Sequence, residues 1–289
     1  MEEKIWKQAE EVMESVRKHA PLIHCITNPI SIHDCANVIL AAGARPIMAE
    51  HPEEVREITA SADAVGLNLG NITDARKASI LISAEEAARR KIPVVADLVG
   101  IGCSGFRRNI TSQLLENREK FLKQRESSSP LVLKGNLSEM LVLARMEEGE
   151  TLRTSGVDAR AEDVICPRTQ DPVVEELRRL ARRHQAVVFA TGKTDVISDG
   201  DRTFLVENGC DRMAFITGTG CMVTALCAAY LSQGEPLTGA LLAAVMFGIC
   251  GERASAEWKG TGTFQVRLMD ELSEGTGKTI RENRRVQEI

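Results

Sequence analysis

Short apolar runs alternate with amphipathic segments along the first two thirds of the chain. The runs are rich in Val, Ile and Leu and have the length of buried strands; they cover 22–26, 46–48, 64–69, 93–96, 131–133 and 186–190. Helical spacing of apolar residues fills the intervals, as in 52–60, 73–91 and 171–184, where Thr73 and Asp171 are suited to cap the helices. This alternation predicts a parallel sheet with helices on both faces.

The pattern changes in the last third of the chain. Two short apolar runs, 195–198 and 203–206, flank Asp199-Gly200-Asp201, a sequence typical of a hairpin turn, so we expect an antiparallel pair beside the parallel strands. From Cys221 almost to Glu271 the spacing is helical, and the apolar stretch 237–250 predicts an interior helix. The polar tail 276–289 is expected to be loose.

Composition limits the domain organisation and the classes of partner. The 289 residues are 43% hydrophobic, which predicts a single domain over 1–289. A net charge of −5 from interspersed acidic and basic residues argues against a nucleic-acid or anionic-membrane surface and favours small-molecule chemistry. The charged N-terminus lacks the apolar core of a signal peptide, and the 8 cysteines include no Cys-x-x-Cys pair. We therefore expect a cytoplasmic protein with cysteines used as small core residues.

A glycine-rich turn is the most informative local feature. Gly218, Thr219 and Gly220 precede a long apolar helical segment that includes Cys221. Glycines let the backbone approach a ligand closely, and free amides at a helix start bind phosphate. An ordinary strand-to-helix turn remains the alternative. Because a helix N-terminus lowers the pKa of a thiol, we expect Cys221 to be a candidate base.

Polar residues follow the predicted strands, where open α/β sheets bind ligands. They are Asn28, Asp97, Arg107, Lys134, Asn136, Glu139 and Thr191. Asp97 precedes a glycine-rich loop, so its carboxylate is a candidate ligand for Mg²⁺ or, equally, a turn cap. Glu139 is a supporting candidate, because a glutamate in the first turn of a helix also complements the helix dipole.

Two other motifs fail on inspection. Gly192-Lys193-Thr194 and Gly277-Lys278-Thr279 imitate the end of a P-loop, but Val187 and Leu272 occupy the positions of its first glycine. The five histidines show no zinc-ligand spacing, which makes a zinc enzyme improbable.

Taken together, the motifs resemble those of the hydroxyethylthiazole kinase family. The matching segments occur in the family's order from about Pro21 to Leu272, and they are 26–28, 43–48, 67–70, 97–107, 134–136, 191–192 and 217–221. The resemblance implies a ribokinase-like three-layer αβα sandwich with a mostly parallel central sheet and the late hairpin. It also implies transfer of the γ-phosphate of ATP, with Mg²⁺, to the primary hydroxyl of 4-methyl-5-(2-hydroxyethyl)thiazole in thiamine biosynthesis or salvage.

The resemblance assigns a role to each candidate residue. Catalysis falls to the glycine turn and its cysteine: Gly218, Thr219, Gly220 and Cys221. The residues that match thiazole-binding positions are Met48, Gly218 and Asn28. Those that match ATP-binding positions are Lys134, Thr191, Asn136 and Arg107. Asp97 and Glu139 match the residues around the metal. Where many members have an arginine, Lys134 keeps the positive charge without the bidentate guanidinium. A homotrimer with active sites between subunits is implied as well.

Other functions are compatible with the same residues. A ribokinase-like kinase for another small alcohol, or a nucleotide-dependent hydrate dehydratase, would share much of this pattern. A non-catalytic ligand sensor is a third possibility. The presence of Met48 and Cys221 favours the thiazole kinase, and the complete set of polar residues favours an enzyme.

Overall fold

The computed structural model describes residues 2–125, 129–147, 170–256 and 258–289. Within these residues one sheet contains nine strands: β1 Leu22–Ile26, β2 Arg45–Ile47, β3 Ala64–Asn68, β4 Val94–Asp97, β5 Leu131–Asn136, β6 Val187–Thr191, β7 Asp195–Ser198, β8 Thr203–Val206 and β9 Val286–Glu288. The helices are α1 Glu2–His19, α2 Ile32–Ala41, α3 Val55–Ser61, α4 Asp74–Arg90, α5 Gly105–Arg125, α6 Leu137–Glu147, α7 Gln170–His184, α8 Thr219–Leu231, α9 Pro236–Ala256, α10 Thr261–Glu274 and α11 Gly277–Asn283.

The strand order is β2-β1-β3-β4-β5-β6-β7-β8-β9. Strands β1 to β6 are parallel, and β7, β8 and β9 continue the sheet in antiparallel pairs. The expected hairpin is confirmed with the predicted bounds. Because the carboxyl ends of parallel strands share one edge, this topology brings the predicted polar residues at the ends of β1, β4, β5 and β6 to the same side of the molecule.

Two apolar clusters lie on opposite faces of the sheet and make the fold three-layered. One cluster contains side chains of α1, α2, α8, α9, α10 and α11, and the other contains side chains of α3 to α7. Alternate residues of the strands contribute to each cluster, as expected for a sheet covered on both faces. The predicted αβα sandwich is therefore observed.

Local signals are borne out at some helix ends and not at others. The Thr73 hydroxyl accepts a hydrogen bond from the Arg76 N–H and caps α4, as predicted. Asp171 lies inside the first turn of α7 rather than before it. Among the described residues, all seven cysteines are free thiols, and five of them are buried. Cys166 lies outside the described residues.

The C-terminal segment differs from the loose tail that we expected after Gly275. Thr276 caps α11 through a reciprocal pair of hydrogen bonds with Thr279, and β9 pairs with β8. Arg202 then holds Glu288 of β9 through two hydrogen bonds of 2.7 and 3.0 Å. The edge of β8 offers unpaired backbone groups, and β9 satisfies them, which outweighs the polar composition of the segment.

Helix α9 is long and apolar enough to cross a membrane by length and composition, and it is the one such helix among the described residues. However, 83% of its most apolar window is buried inside the fold. It packs against α8 and α10 in the cluster on its face of the sheet. The prediction of an interior helix at 237–250 is confirmed.

Candidate active site

The glycine turn adopts a conformation that requires glycine. Gly218 has a φ of +87° and lies directly before α8. A Cβ at this position would lie 2.5 Å from the Cβ of Ser31, which is itself fully buried. The first amides of α8, at Thr219, Gly220 and Cys221, have no carbonyl within the helix to bind, because intrahelical bonds begin later. The turn is therefore shaped to present N–H groups to an anion.

Asp97 is the centre of a buried polar cluster at the end of β4. Its Oδ2 accepts three hydrogen bonds, from Asn68 Nδ2 at 3.1 Å, Lys134 Nζ at 3.1 Å and Thr224 Oγ1 at 2.5 Å. Its Oδ1 is also buried, yet it has no hydrogen-bond partner among the described residues. A carboxylate with one saturated oxygen and one bare oxygen is arranged to bind something further.

Glu139 is held by the backbone on both sides. Its Oε1 accepts a hydrogen bond from the Gly100 N–H at 2.6 Å, and its Oε2 accepts one from the Asn136 N–H at 2.7 Å. The Asn136 side chain in turn accepts from the Glu139 N–H at 2.8 Å, so the two residues form a reciprocal cap on α6. Burial, followed by the negative charge of Asp97, raises the pKa of Glu139 to about 7. Glu139 thus both caps α6 and lies close enough to Asp97 for the two carboxylates to interact.

The carboxylates of Asp97 and Glu139 suit Mg²⁺ that is bound together with substrate phosphates, rather than a metal ion coordinated only by protein side chains. Among the described residues, no group of three or more His, Cys, Asp or Glu side chains could hold a metal ion. Mg²⁺ typically uses one or two carboxylates together with substrate phosphates and water. The Oδ1 atom of Asp97, which has no hydrogen-bond partner among the described residues, would supply one such oxygen. Each Glu139 oxygen keeps acceptor capacity beyond its backbone bond.

Lys134 connects the carboxylate cluster to the glycine turn. Its side chain is buried against Asp97, and its Nζ would lie 3.6 Å from a Cβ placed on Gly220. Burial alone would lower the pKa of Lys134, but the negative charge of Asp97 and the hydrogen bond to its carboxylate raise it above its ordinary value. The ammonium group is therefore a fixed positive charge beside the free amides of α8.

Cys221 differs from the expectation that its thiol pKa is lowered. The side chain is 7% exposed, and its sulfur accepts a hydrogen bond from Asn68 Nδ2 at 3.3 Å. Burial, and then the negative charge of Asp97, raise the pKa above its ordinary value, although Lys134 and the hydrogen bonds from Ser31 and Asn68 oppose this. Burial therefore outweighs the groups that would stabilise a thiolate, and the thiol is protonated near neutral pH.

A cavity of about 670 Å³ opens beside the glycine turn. It lies between the ends of β5 and β6, the segment after β8, and helices α8 and α9. Thr191, Asn136, Thr219 and Gly220, all predicted site residues, contribute to its wall. Gly192 and Lys193 line it as well, although the segment that contains them lacks the first glycine of a P-loop. The volume suits a nucleotide-sized ligand.

The remaining predicted residues lie on other sides of the site. Arg107 Nη1 donates to the carbonyls of Leu69 at 2.9 Å and Val99 at 2.6 Å, and so it braces the loops after β3 and β4. Asn28 closes a turn by accepting from the Ile30 N–H at 3.0 Å. Met48 is partly buried beyond the end of β2, against the apolar cluster that contains α8.

Sequence reasoning missed two side chains of the Asp97 cluster, Asn68 and Thr224. Asn68 ends β3 directly opposite Asp97 in the strand register. It belonged to a recognised motif, and its position at the end of a strand could have identified it. Thr224 lies one helical turn after Cys221 and on the same face of α8. Its position in the sequence was less informative, because a threonine within a helix commonly donates to the carbonyl four residues earlier. The Thr224 hydroxyl does so here, to the Gly220 carbonyl at 3.1 Å.

Comparison with known proteins decides the family. The model of the hydroxyethylthiazole kinase family matches residues 13–277. A protein of Clostridium botulinum named hydroxyethylthiazole kinase 2 is 46% identical over 262 residues, which cover 91% of this chain and 93% of that protein. The chain belongs to the hydroxyethylthiazole kinase family. The resemblance stated from the motifs is thereby confirmed.

Solved structures agree with membership of the hydroxyethylthiazole kinase family. The structure of a hydroxyethylthiazole kinase from Pyrococcus horikoshii is 34% identical and has a TM-score of 0.84, covering 98% of this chain and 99% of that one. A ribokinase-like superfamily protein from Enterococcus faecalis is 13% identical with a TM-score of 0.55, covering 92% of this chain and 95% of that one, and shows the shared fold alone. The predicted ribokinase-like fold is confirmed.

Proposed function

We propose that this chain transfers the γ-phosphate of ATP to the primary hydroxyl of 4-methyl-5-(2-hydroxyethyl)thiazole. One observation carries the proposal. The glycine turn, the Lys134 ammonium and the Asp97 carboxylate lie together beside a nucleotide-sized cavity, within a chain of the hydroxyethylthiazole kinase family. Phosphoryl transfer depends mainly on positioning and on neutralising charge, and these groups supply both.

The cavity is the proposed nucleotide site. Asn136 and Thr191 line its wall, and the Thr191 hydroxyl is held by the Gly135 carbonyl at 3.2 Å. With the nucleotide there, its terminal phosphates would meet the free amides of Thr219 and Gly220. Lys134 adds positive charge on the same side. Donors fixed before the reaction stabilise charge as it develops on the transferred group.

Asp97 and Glu139 are the proposed holders of Mg²⁺. The bare Asp97 Oδ1 is the main donor, and Glu139 stands beside it with its carboxylate oriented by two backbone amides. When bound, Mg²⁺ would neutralise charge on the phosphates of the nucleotide. The protein's own contribution is to hold the two carboxylates in place before the nucleotide arrives.

Cys221 is the proposed contact for the acceptor hydroxyl. Its thiol is neutral and held between Asn68 and Ser31, so it can orient the hydroxyl for in-line attack. The hydroxyl proton leaves late in a loose transition state, which lowers the need for a charged base. Asn28, Met48 and Gly218 would enclose the thiazole ring.

Arg107 fits a supporting role better than the ATP contact that we predicted. Its guanidinium donates hydrogen bonds to the loop carbonyls of Leu69 and Val99. These carbonyls belong to the loops that follow Asn68 and Asp97. We therefore assign Arg107 the task of shaping these loops.

The family also suggests a cytoplasmic homotrimer with active sites between subunits, and we extend this to the present chain. Ile30 directly precedes Ser31 and Phe215 lies three residues before Gly218, so these two exposed apolar side chains flank the turn. A neighbouring subunit that covered them would close the acceptor side of the site. Sedimentation of the purified protein tests the trimer directly.

A coupled assay for ADP release tests the function. Purified protein, ATP and Mg²⁺ should release ADP only when the thiazole alcohol is present, and 5-ethyl-4-methylthiazole, which lacks the hydroxyl, should not support release. ADP release that ignores the alcohol would indicate another acceptor or simple hydrolysis. Saturable nucleotide binding without turnover would instead favour a ligand sensor.

A further inference from the structure

Asn68 occupies a position between the two halves of the proposed site. It ends β3, is 1% exposed, and lies opposite Asp97 in the parallel register of β3 and β4. Its amide nitrogen donates to Asp97 Oδ2 at 3.1 Å and to Cys221 Sγ at 3.3 Å. One side-chain amide therefore reaches both the carboxylate assigned to the metal and the thiol assigned to the acceptor hydroxyl.

The orientation of this amide is fixed by the backbone. The Gly70 N–H donates to Asn68 Oδ1 at 2.8 Å, which closes a turn immediately after β3. The oxygen end of the amide is thereby committed to Gly70, and the NH₂ end must face Asp97 and Cys221. A rotation that exchanged the two ends would place the amide nitrogen against a backbone donor and lose three hydrogen bonds.

The two partners of Asn68 depend on it unequally. Asp97 Oδ2 also accepts from Lys134 and Thr224, so two donors would keep the carboxylate in place without Asn68. The sulfur of Cys221 accepts from the Asn68 amide at 3.3 Å, and Ser31 is a further hydrogen-bonding neighbour. Loss of the amide would remove this restraint on the thiol while leaving the carboxylate restrained.

We propose that Asn68 is a positioning residue that fixes the Cys221 sulfur relative to Asp97, and thereby aligns the acceptor hydroxyl with the phosphoryl group. The proposal rests on the proposed function. It assigns Asn68 no contact with substrate. Its effect must therefore pass through Cys221, and it should appear in kcat rather than in nucleotide binding.

Asn68→Ser separates this role from local structure. A serine hydroxyl can still accept from the Gly70 N–H and keep the turn, but it has no NH₂ group to hold the thiol. We expect kcat to fall on the order of 10- to 100-fold, since small misalignments of a reacting group have effects of this size. The affinity for Mg²⁺-ADP, measured by calorimetry, should stay within about twofold because Lys134 and Thr224 still hold Asp97.

Thr224→Val is the matched control, because it removes a donor from the same Asp97 oxygen. In the Cys221→Ala background, Asn68→Ser should lower kcat by no more than about twofold, whereas the effect of Thr224→Val should be the same in both backgrounds. Equal effects of Asn68→Ser with and without the thiol would overturn the proposal. So would a loss confined to Mg²⁺-ADP affinity.

Asn68→Thr provides a second variant if the serine variant does not fold. Its hydroxyl keeps an acceptor for Gly70, it lacks the amide donor and it adds no charge beside Asp97, so the same dependence on Cys221 is expected. Failure of the proposed function would be visible earlier and separately, as absence of thiazole-dependent ADP release by the wild-type protein. If the wild-type protein is active and the effects of the Asn68 and Cys221 substitutions on kcat are additive, the role of Asn68 is rejected while the proposed function stands.

Discussion

The Nζ atom of Lys134 lies 3.1 Å from Oδ2 of Asp97, and both side chains are almost completely buried. Each residue ends or nears the end of its strand, and the two are paired in the register of β4 and β5. The ion pair places a positive charge beside the glycine turn without using the second carboxylate oxygen. The proposed nucleotide and metal would therefore meet a site in which Lys134 already balances the charge of Asp97.

Lys134→Met should destabilise the protein by about 3–5 kcal/mol, because a buried carboxylate would lose its charged partner. Thermal or urea unfolding measures this loss. Adding Asp97→Asn to the same chain should restore a large part of the stability and none of the kinase activity. Unfolding that is unchanged by Lys134→Met would show that the pair is not buried as described.

Cys221→Ala should lower kcat on the order of 10²-fold while the KM for ATP stays nearly constant, because the role proposed for the thiol is to orient the acceptor hydroxyl only. Cys221→Asp should retain more activity than the alanine variant, since a carboxylate can accept the hydroxyl hydrogen bond and Lys134 lies near enough to balance its charge. Steady-state kinetics of the two variants decide this. Near-wild-type turnover of Cys221→Ala would remove the thiol from the mechanism.

Gly218→Ala should damage the turn, because alanine must adopt a φ of +87° and its Cβ would meet Ser31 at 2.5 Å. The strained backbone alone costs about 1–3 kcal/mol. Gly262→Ala is the control, since a Cβ there meets no atom within 4 Å in α10. We expect the first variant to lose thermal stability and turnover and the second to lose neither. Equal behaviour of the two would contradict the strained turn.

Glu86 should make stability depend on pH in the acidic range. Burial would raise the pKa of this carboxyl, but hydrogen bonds from Arg89, Arg90 and Arg56 outweigh burial and lower the pKa to about 2. A folded pKa below the unfolded value means that the stabilisation is complete above about pH 4.5 and is lost as the pH falls towards 2. The free energies of unfolding of the wild type and of Glu86→Gln, measured by denaturation, should therefore differ at neutral pH and converge near pH 2. A constant difference would refute this assignment.

The sequence predicted the parts of the site that depend on local pattern. Asp97 and Lys134 follow apolar runs, and the order of strands in a parallel sheet brings such residues to one edge. Gly218 was identified because a helix that begins after a glycine-rich turn presents free amides. These features follow from residue spacing and from the geometry of strands and helices.

Other features depend on contacts that spacing does not encode. Asn68 and Thr224 meet at Asp97 from different elements, and only the packing of α8 against the sheet brings them together. The thiol pKa of Cys221 was expected to fall, but burial of the side chain, which spacing alone does not show, raises it. The order of the tail likewise depends on the exposed edge of β8.

The most direct test of the central claim is to identify the product formed from ATP, Mg²⁺ and 4-methyl-5-(2-hydroxyethyl)thiazole by mass spectrometry and ³¹P NMR. The account predicts a monophosphate ester at the primary hydroxyl, formed in equal amount with ADP. Unmodified thiazole alcohol after incubation with a folded, nucleotide-binding protein would contradict it.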